Sequence, residues 1–127
     1  MESNRLAVRV YLEDTDAQGV VYHANYLKFF ERGRDEMLRA SSFEPVAGAA
    51  EVMFVVHEMN IKFLQAARLA DQLTVETTCR RSSDYRLSFE QQILRQGEQA
   101  PLVKAEVQVV CIDRAGKLTE LPPELFA

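Results

Sequence analysis

The sequence predicts an α+β domain in which a five-stranded antiparallel sheet wraps around one long helix, in the order β-α-β-β-β-β. The chain has 127 residues, the length of one ordinary domain. One stretch carries apolar residues at the 3.6-residue spacing of an amphipathic helix, and five stretches alternate with the two-residue period of half-buried strands. No internal repeat or linker-like run divides the chain, so residues 1–127 are expected to form one domain.

The first strand and the helix are the first two elements of this order. Apolar residues of the strand alternate on one side, at Leu6, Val8, Val10 and Leu12. The helix is predicted over 24–40, with one apolar face formed by Tyr26, Phe29, Phe30, Gly33, Met37 and Leu38. A mid-helix Gly costs about 1 kcal/mol relative to Ala, so Gly33 on this face predicts a close crossing of helix and sheet. A connecting segment with a short helical turn before Gly48 is expected over 41–50.

Four strands follow the helix in succession, which favours an antiparallel sheet. The first of them is predicted over 52–64, where His57 is expected to share a face with Val55, Met59, Ile61 and Phe63, as a structural histidine and not a ligand. The other three have inward sets Leu73, Val75, Thr77 and Cys79; Tyr85, Leu87, Phe89, Gln91 and Ile93; and Val103, Ala105, Val107, Val109 and Cys111. One helix leaves sheet edges and a face uncovered, so a second copy of the chain is expected to cover part of them.

Composition excludes several classes of function. The net charge of −4 argues against a protein that grips nucleic acid or an anionic membrane. No stretch approaches the roughly 18 apolar residues of a membrane span, and the first residues do not look like a secretory signal, so a cytoplasmic protein is expected. Two cysteines without a CxxC motif and two histidines in unrelated contexts predict no metal, and no cofactor is expected.

Candidate chemistry lies where the first strand gives way to the helix, in EDTDAQGVVYHANY over 13–26. Free N–H groups and the positive end of the dipole at a helix N-terminus can hold an anion or a carbonyl oxygen that is becoming one. A nearby Asp could attack that carbonyl or activate a water against it. Acids and Gly before a helix are also ordinary turn and capping residues, so the spacing alone leaves both interpretations open.

The stretch YLEDTDAQGVVYHANYLKFFERGRDEMLR resembles, nearly letter for letter, the signature of the 4-hydroxybenzoyl-CoA thioesterase-like branch of the hotdog-fold superfamily. It looks similar in particular to small bacterial acyl-CoA thioesterases associated with the Tol–Pal envelope system. A weaker similarity runs through FVVHEMNIKFLQAARLADQLTVET, with its Ala-Arg turn and following Asp, and through AEVQVVCIDRAGKLTELP, so essentially the whole chain is covered. The resemblance implies a hotdog fold, a homodimer with its active site at the subunit interface, and hydrolysis of a short-chain or aromatic acyl-CoA to free acid and CoA.

The resemblance also implies roles for individual residues. Asp16 corresponds to the catalytic carboxylate, acting either as nucleophile or as general base. His23, at the start of the helix, corresponds to the oxyanion donor through its backbone N–H, with its imidazole beside the substrate. Gly19, Val20 and Tyr22 are then expected to line the turn that the thioester approaches.

Three arginines, Arg80, Arg81 and Arg86, flank the turn between the third and fourth strands. A guanidinium fork suits the 3′-phosphate and diphosphate of CoA, and the resemblance implies basic residues near this turn. A solvated charged turn is the alternative interpretation.

Two other functions stay open beside the hydrolase. One is a non-catalytic module that binds acyl-CoA or acyl-carrier protein, which would have no need of the Asp16 carboxylate. The other is a dehydratase acting on acyl-carrier protein, against which the DTD loop argues. The expected partners are therefore an acyl-CoA substrate, further copies of the chain in a dimer or tetramer, and acyl-carrier protein under the alternative, with no nucleic acid and no membrane insertion.

Overall fold

A computed structural model describes residues 2–41, 52–123 and 125, and the predicted order of elements is confirmed. One helix follows the first strand, and four strands follow the helix. The elements are β1 (Glu2–Arg9), a short 3-10 turn (Leu12–Asp14), α1 (Asn25–Ala40), β2 (Val52–Phe63), β3 (Gln72–Arg81), β4 (Arg86–Arg95) and β5 (Pro101–Asp113).

The five strands form one antiparallel sheet in the order β1-β3-β4-β5-β2, so β1 and β2 are its edges. The predicted alternation in β3, β4 and β5 is confirmed, because every inward residue within these strands is buried against the helix side. Tyr85 precedes β4 and is exposed. The outward residues of the same strands are mostly polar, which leaves a hydrophilic outer sheet face.

Helix α1 packs its predicted face onto the sheet, and all six residues of that face are buried. Gly33 permits the close crossing that the sequence predicts. A Cβ at this position would lie 2.7 Å from Thr77 Oγ1 and 3.0 Å from both Gln91 Nε2 and Val75 Cγ1. A larger residue at position 33 would therefore require either these side chains or the helix itself to shift.

A buried polar network joins the helix to the sheet beside Gly33. Arg34 is only 5% exposed and donates to Gln91 Oε1 at 2.9 Å and to Glu31 Oε2 at 2.6 Å. Gln91 Nε2 in turn donates to the Phe30 carbonyl and to Thr77 Oγ1, both at 2.9 Å. Burial lowers the pKa of the Arg34 guanidinium, and the neighbouring Glu31 carboxylate opposes that shift. The hydrogen bonds satisfy a charge that would otherwise be costly to bury.

Besides Tyr85, which was predicted to belong to the inward set of β4, two further predicted strand positions are wrong. Leu12 does not continue the inward face of β1, because the chain turns after Arg9 and Leu12 lies in the 3-10 turn with 74% of its surface exposed. The Asp14 carboxylate stabilises that turn by accepting the Tyr11 N–H at 2.8 Å.

His57 does not share a face with Val55, Met59, Ile61 and Phe63. The pairing of β2 with β5 shifts register between Val56 and Glu58, so His57 is the extra residue of a β-bulge and is exposed. Phe54 before the bulge and Met59 after it both pack against the core, whereas Val55 lies on the opposite face.

The connecting segment predicted over 41–50, with its helical turn before Gly48, lies outside the described residues except for Ser41. In the described ranges, no helix combines the length and the apolar character that a membrane span requires.

Candidate active site

The Asp16 loop (residues 13–24) contains a miniature hairpin. Thr15 and Val21 pair as an isolated antiparallel bridge, and the Asp16 N–H donates to the Val20 carbonyl at 2.9 Å. The Gly19 N–H closes the turn on the Asp16 carbonyl at 3.1 Å. Gly19 has φ +79°, the left-handed conformation that ends such a turn and that glycine adopts most readily. The sequence therefore places Asp16 at the first position of a defined turn.

The Asp16 side chain is exposed on the protomer. Its Oδ1 atom accepts the Gln18 N–H at 2.8 Å, which orients the carboxylate within the turn. Oδ2 accepts no hydrogen bond from any residue that the structure describes. One carboxylate oxygen is thus held by the loop, and the other remains available to a substrate or a water.

Helix α1 begins directly after this hairpin. The Asn25 N–H donates to the Tyr22 carbonyl at 2.8 Å, while Asn25 Nδ2 donates to the Asp14 carbonyl at 2.9 Å and ties the helix start to the loop. The N–H groups of His23 and Ala24 meet no acceptor within the described part of the chain. They are two of the unpaired donors that a helix N-terminus offers to a partial negative charge.

The Asp16 loop rests on the turn between β2 and β3 (residues 64–71). The Val21 N–H donates to the Ala67 carbonyl at 2.9 Å, and the Leu69 N–H donates to the Gly19 carbonyl at 3.3 Å. These bonds hold the second half of the hairpin, at its turn and at its base, so the position of Asp16 depends on the position of turn 64–71.

Turn 64–71 is itself fixed by buried and charged groups. The Ala67 N–H donates to the buried Tyr26 hydroxyl at 3.0 Å, and burial raises the pKa of that hydroxyl. Asp71 Oδ2 accepts the Arg68 N–H at 2.9 Å and Arg95 Nε at 3.0 Å. Hydrogen bonds to Glu98 and Asp71 raise the pKa of the Arg95 guanidinium, which also donates to the turn.

An aromatic cluster lies beside the helix start. The His23 ring is 4.6 Å from the Tyr22 ring and 6.2 Å from the Phe63 ring, measured between centroids. Phe63 also contacts Tyr26 with ring centroids 5.9 Å apart, yet 51% of Phe63 stays exposed. The structure therefore brings His23 and Tyr22 together with an apolar surface next to the Asp16 loop.

The three arginines predicted to bind CoA phosphates lie elsewhere on the protomer. Arg80 is at the far end of β3 from Gln72, which follows turn 64–71, so about 26 Å of strand separates Arg80 from the Asp16 end of the sheet. Arg81 is half-buried and donates to the carbonyls of Pro122 and Leu125 at 2.9 and 3.1 Å. Arg86, like Arg80, is exposed. Within one chain these side chains are not gathered with Asp16.

The structure adds one basic residue to the neighbourhood of the loop. Arg68 forms an isolated bridge with Val20 and is exposed, which makes the Ala-Arg turn part of the candidate site. In the sequence, the weaker family similarity through FVVHEMNIKFLQAARLADQLTVET already covers this turn. Among the described residues, no three His, Cys, Asp or Glu side chains gather as a metal site would require.

Comparisons with known proteins agree with this architecture. The family model described as thioesterase-like superfamily matches residues 10–127. Acyl-CoA thioester hydrolase YbgC of Escherichia coli is 48% identical over 110 residues, which are 86% of this chain and 81% of the relative. Acyl-CoA thioesterase YbgC of Haemophilus influenzae is 45% identical over 108 residues, 84% of this chain and 78% of the relative.

A solved structure gives the same result for the fold. The probable thioesterase from Bartonella henselae superposes with a TM-score of 0.88 at 40% sequence identity, covering 95% of this chain and all of that chain. The predicted hotdog fold, a helix enclosed by an antiparallel sheet, is confirmed. From the match over residues 10–127 and the high identity to these relatives, we conclude that the chain belongs to the thioesterase-like superfamily.

Proposed function

We propose that this protein is an acyl-CoA thioester hydrolase that acts on short-chain or aromatic acyl-CoA, with Asp16 as its catalytic carboxylate. The relatives named as acyl-CoA thioester hydrolases cover more than four-fifths of the chain at 45% identity or more. The observation that carries the assignment of Asp16 is local. A carboxylate held in the turn of a hairpin lies just before the start of α1, where the N–H groups of His23 and Ala24 have no acceptor among the described residues.

The chemistry follows from these two features. Asp16 either attacks the thioester carbon or removes a proton from the water that attacks it. In both routes the carbonyl oxygen gains negative charge, which the N–H groups of His23 and Ala24 would stabilise. The C–S bond then breaks, CoA leaves as the thiol, and water supplies the second oxygen of the free acid. No metal or cofactor is required by this sequence of steps.

The substrate side of the proposal rests on the loop and the aromatic cluster. Gly19 and Val20 form the turn beside Asp16, with no side chain at position 19 to obstruct a pantetheine thioester. Tyr22 and Phe63 provide exposed ring surface for an aromatic or short acyl group. A cytoplasmic location, predicted from the sequence, remains part of this proposal.

We further propose that a second copy of the chain completes the site along the β2 edge. β2 is an edge strand whose exposed apolar residues include Met53, Val55, Val56 and Phe63. Two-fold pairing of β2 with its copy runs the strands antiparallel, so the Phe63 end of one chain meets the Val52 end of the other. The Val52 end lies at the same end of the sheet as Arg86. Such a dimer would bring the partner's Arg80 and the partner's Arg86 toward the Asp16 loop.

Substitution of Asp16 tests the catalytic assignment. Asp16→Asn keeps the size of the side chain and its Oδ1 acceptor but removes the charge, so we expect thiol release from acyl-CoA to fall by about 10²–10⁴-fold. The assay follows free thiol with acetyl-, hexanoyl- and benzoyl-CoA. The matched control is Glu13→Gln, which removes the same charge from the same loop at an exposed side chain with no hydrogen bond to a described residue.

The two variants separate the possible outcomes. Asp16→Asn should retain substrate binding by calorimetry and a native unfolding temperature, and Glu13→Gln should turn over like the parent. Equal activity of Asp16→Asn and the parent would remove Asp16 from the mechanism. A parent that binds acyl-CoA but releases no thiol from any of the three substrates would instead identify a binding module.

A further inference from the structure

Turn 64–71 is held by an ion pair between Asp71 and Arg95, which together form the turn clamp. Asp71 Oδ2 accepts hydrogen bonds from Arg95 Nε at 3.0 Å and from the Arg68 N–H at 2.9 Å. Arg95 Nη2 also donates to the Ala66 carbonyl at 3.2 Å. Only 21% of the Asp71 side chain and 28% of the Arg95 side chain are exposed, so solvent screens this pair less than a pair at the surface. The turn clamp therefore binds two residues of the turn from one side.

The residues that the turn clamp binds alternate with the residues that hold the Asp16 loop. Ala67 accepts the Val21 N–H through its carbonyl, and Leu69 donates its N–H to the Gly19 carbonyl. Each of these two turn residues directly follows one that the clamp binds, and a planar peptide group joins the two. A displacement of the clamped residues is therefore passed on to the Asp16 loop.

The turn also contains a strained residue. Ala70 has φ +73° and is, in the described part of the chain, the one residue other than glycine with a positive φ. A Cβ makes this left-handed conformation costly, and such strain persists only where surrounding contacts hold it. The Ala70 N–H donates to the Val10 carbonyl at 3.0 Å, and Asp71 on its other side is bound to Arg68 through both backbone and side chain. The turn clamp thus opposes a local tendency of the turn to relax.

We propose that Asp71 and Arg95 are positioning residues for hydrolysis, which hold turn 64–71 against the strain at Ala70 and thereby hold the Asp16 carboxylate before the start of α1. The inference rests on the proposed role of Asp16 and adds two residues that act through it. A displacement of a catalytic group by about 1 Å can cost about 10²-fold in rate. Without the clamp, the Tyr26 hydroxyl would still hold the turn from the helix side, so the turn should stay folded but less precisely placed.

Alanine variants of the turn clamp test this role in the whole protein. For benzoyl-CoA, we expect kcat to fall about 10- to 100-fold in Asp71→Ala and in Arg95→Ala, with KM within about threefold of the parent. Glu98→Ala is the matched control, because Glu98 binds the same arginine through Nη1 at 2.9 Å and makes no hydrogen bond to a described residue of the turn. It should keep the parental kcat and KM. Each variant is assayed at a temperature at which circular dichroism shows it fully folded.

Two double variants distinguish positioning from a general loss of stability. Adding Asp71→Ala to Asp16→Asn should cause no further loss of kcat, because the carboxylate that the clamp positions is already gone. Asp71→Ala/Ala70→Gly should regain at least about threefold in kcat over Asp71→Ala, since glycine adopts a positive φ without strain. In Asp71→Ala, amide hydrogen exchange at Val21 and Leu69 should also become at least about tenfold faster.

Milder variants keep the test decisive if an alanine variant folds poorly. Asp71→Asn keeps an oxygen acceptor without the charge, and Arg95→Lys keeps the charge without the second donor, so each should lose about three- to tenfold in kcat. Parental kcat in all clamp variants would overturn the inference, as would an equal loss in Glu98→Ala, a further loss on top of Asp16→Asn, or no recovery with Ala70→Gly. These results would leave the assignment of Asp16 intact, whereas parental activity of Asp16→Asn would overturn both.

Discussion

His23 has two separable roles in the candidate site, one for its backbone and one for its side chain. His23→Ala keeps the N–H that is proposed to stabilise the oxyanion and removes the ring that contacts Phe63. We therefore expect kcat to fall by less than about tenfold and KM to rise severalfold. Loss of an oxyanion donor would cost about 10²–10³-fold in kcat. Steady-state kinetics of thiol release with benzoyl-CoA measures both parameters.

The other histidine is the matched control for this variant. His57 is exposed at the β2 bulge and away from the Asp16 loop, so His57→Ala should leave kcat and KM unchanged. Because β2 is also the proposed subunit edge, light scattering must first show that His57→Ala keeps the parental mass. A loss in His23→Ala as large as that expected for Asp16→Asn would show that the imidazole itself takes part in proton transfer.

Two arginines show why residue roles are harder to predict than residue positions. Arg34 lies on an amphipathic helix among other charges, and nothing in its spacing distinguishes it from solvated neighbours. Its burial depends on Gln91, 57 positions away, which supplies the acceptor. Arg81 likewise meets Pro122 and Leu125 only because the chain folds back near its end. Such contacts are long-range and leave no local pattern in the sequence.

The crossing of α1 over the sheet depends on the absence of a side chain at position 33. Gly33→Ala gains about 1 kcal/mol in helix propensity. The added Cβ, however, would lie 2.7 Å from Thr77 Oγ1 and disturb the hydrogen bond that this oxygen accepts from Gln91. Overpacking and a disturbed buried network each cost about 1–3 kcal/mol. We expect a net destabilisation of about 2 kcal/mol, measured by urea unfolding.

Glu36 on the same helix provides the control for helix propensity. It is exposed and makes no hydrogen bond or ion pair with a described residue, so Glu36→Ala should be neutral or slightly stabilising. A Gly33→Ala variant as stable as the parent would mean that the helix can lift from the sheet without cost. The network of Arg34 and Gln91 would then contribute little to the free energy of unfolding.

At the level of elements, the sequence predicted the helix and the three central strands because their periodicity reflects burial on one face. It predicted the end of β1 and the faces of β2 less well. Leu12 is apolar and in phase with β1, but the hydrogen bond from Tyr11 to Asp14 turns the chain first. The bulge at His57 depends on how β2 pairs with β5, and this pairing cannot be predicted from the sequence of β2 alone. The loop around Asp16 could be predicted as the candidate site because the family resemblance there rests on a contiguous motif.

At the scale of the whole molecule, the β2 edge is an exposed apolar surface that a single copy leaves unpaired. The sequence predicted that a copy would cover part of the sheet, but the order β1-β3-β4-β5-β2 was needed to show which strand forms the apolar edge. An exposed edge strand is a ready template for pairing with another chain.

The β2 edge is tested with a charge on its most exposed valine. Val56 is 46% exposed, so Val56→Asp should fold, yet a carboxylate at a strand-to-strand contact between copies would be desolvated and repelled by its symmetry mate. We expect the mass to fall to half by light scattering, and thiol release to fall at least tenfold because the partner no longer completes the site.

Leu118→Asp is the control for Val56→Asp. Leu118 is 58% exposed and lies outside β2, so this variant should keep the parental mass and activity. A Val56→Asp protein at half mass with parental activity would place the whole active site within one chain, and one at parental mass would move the subunit contact away from β2.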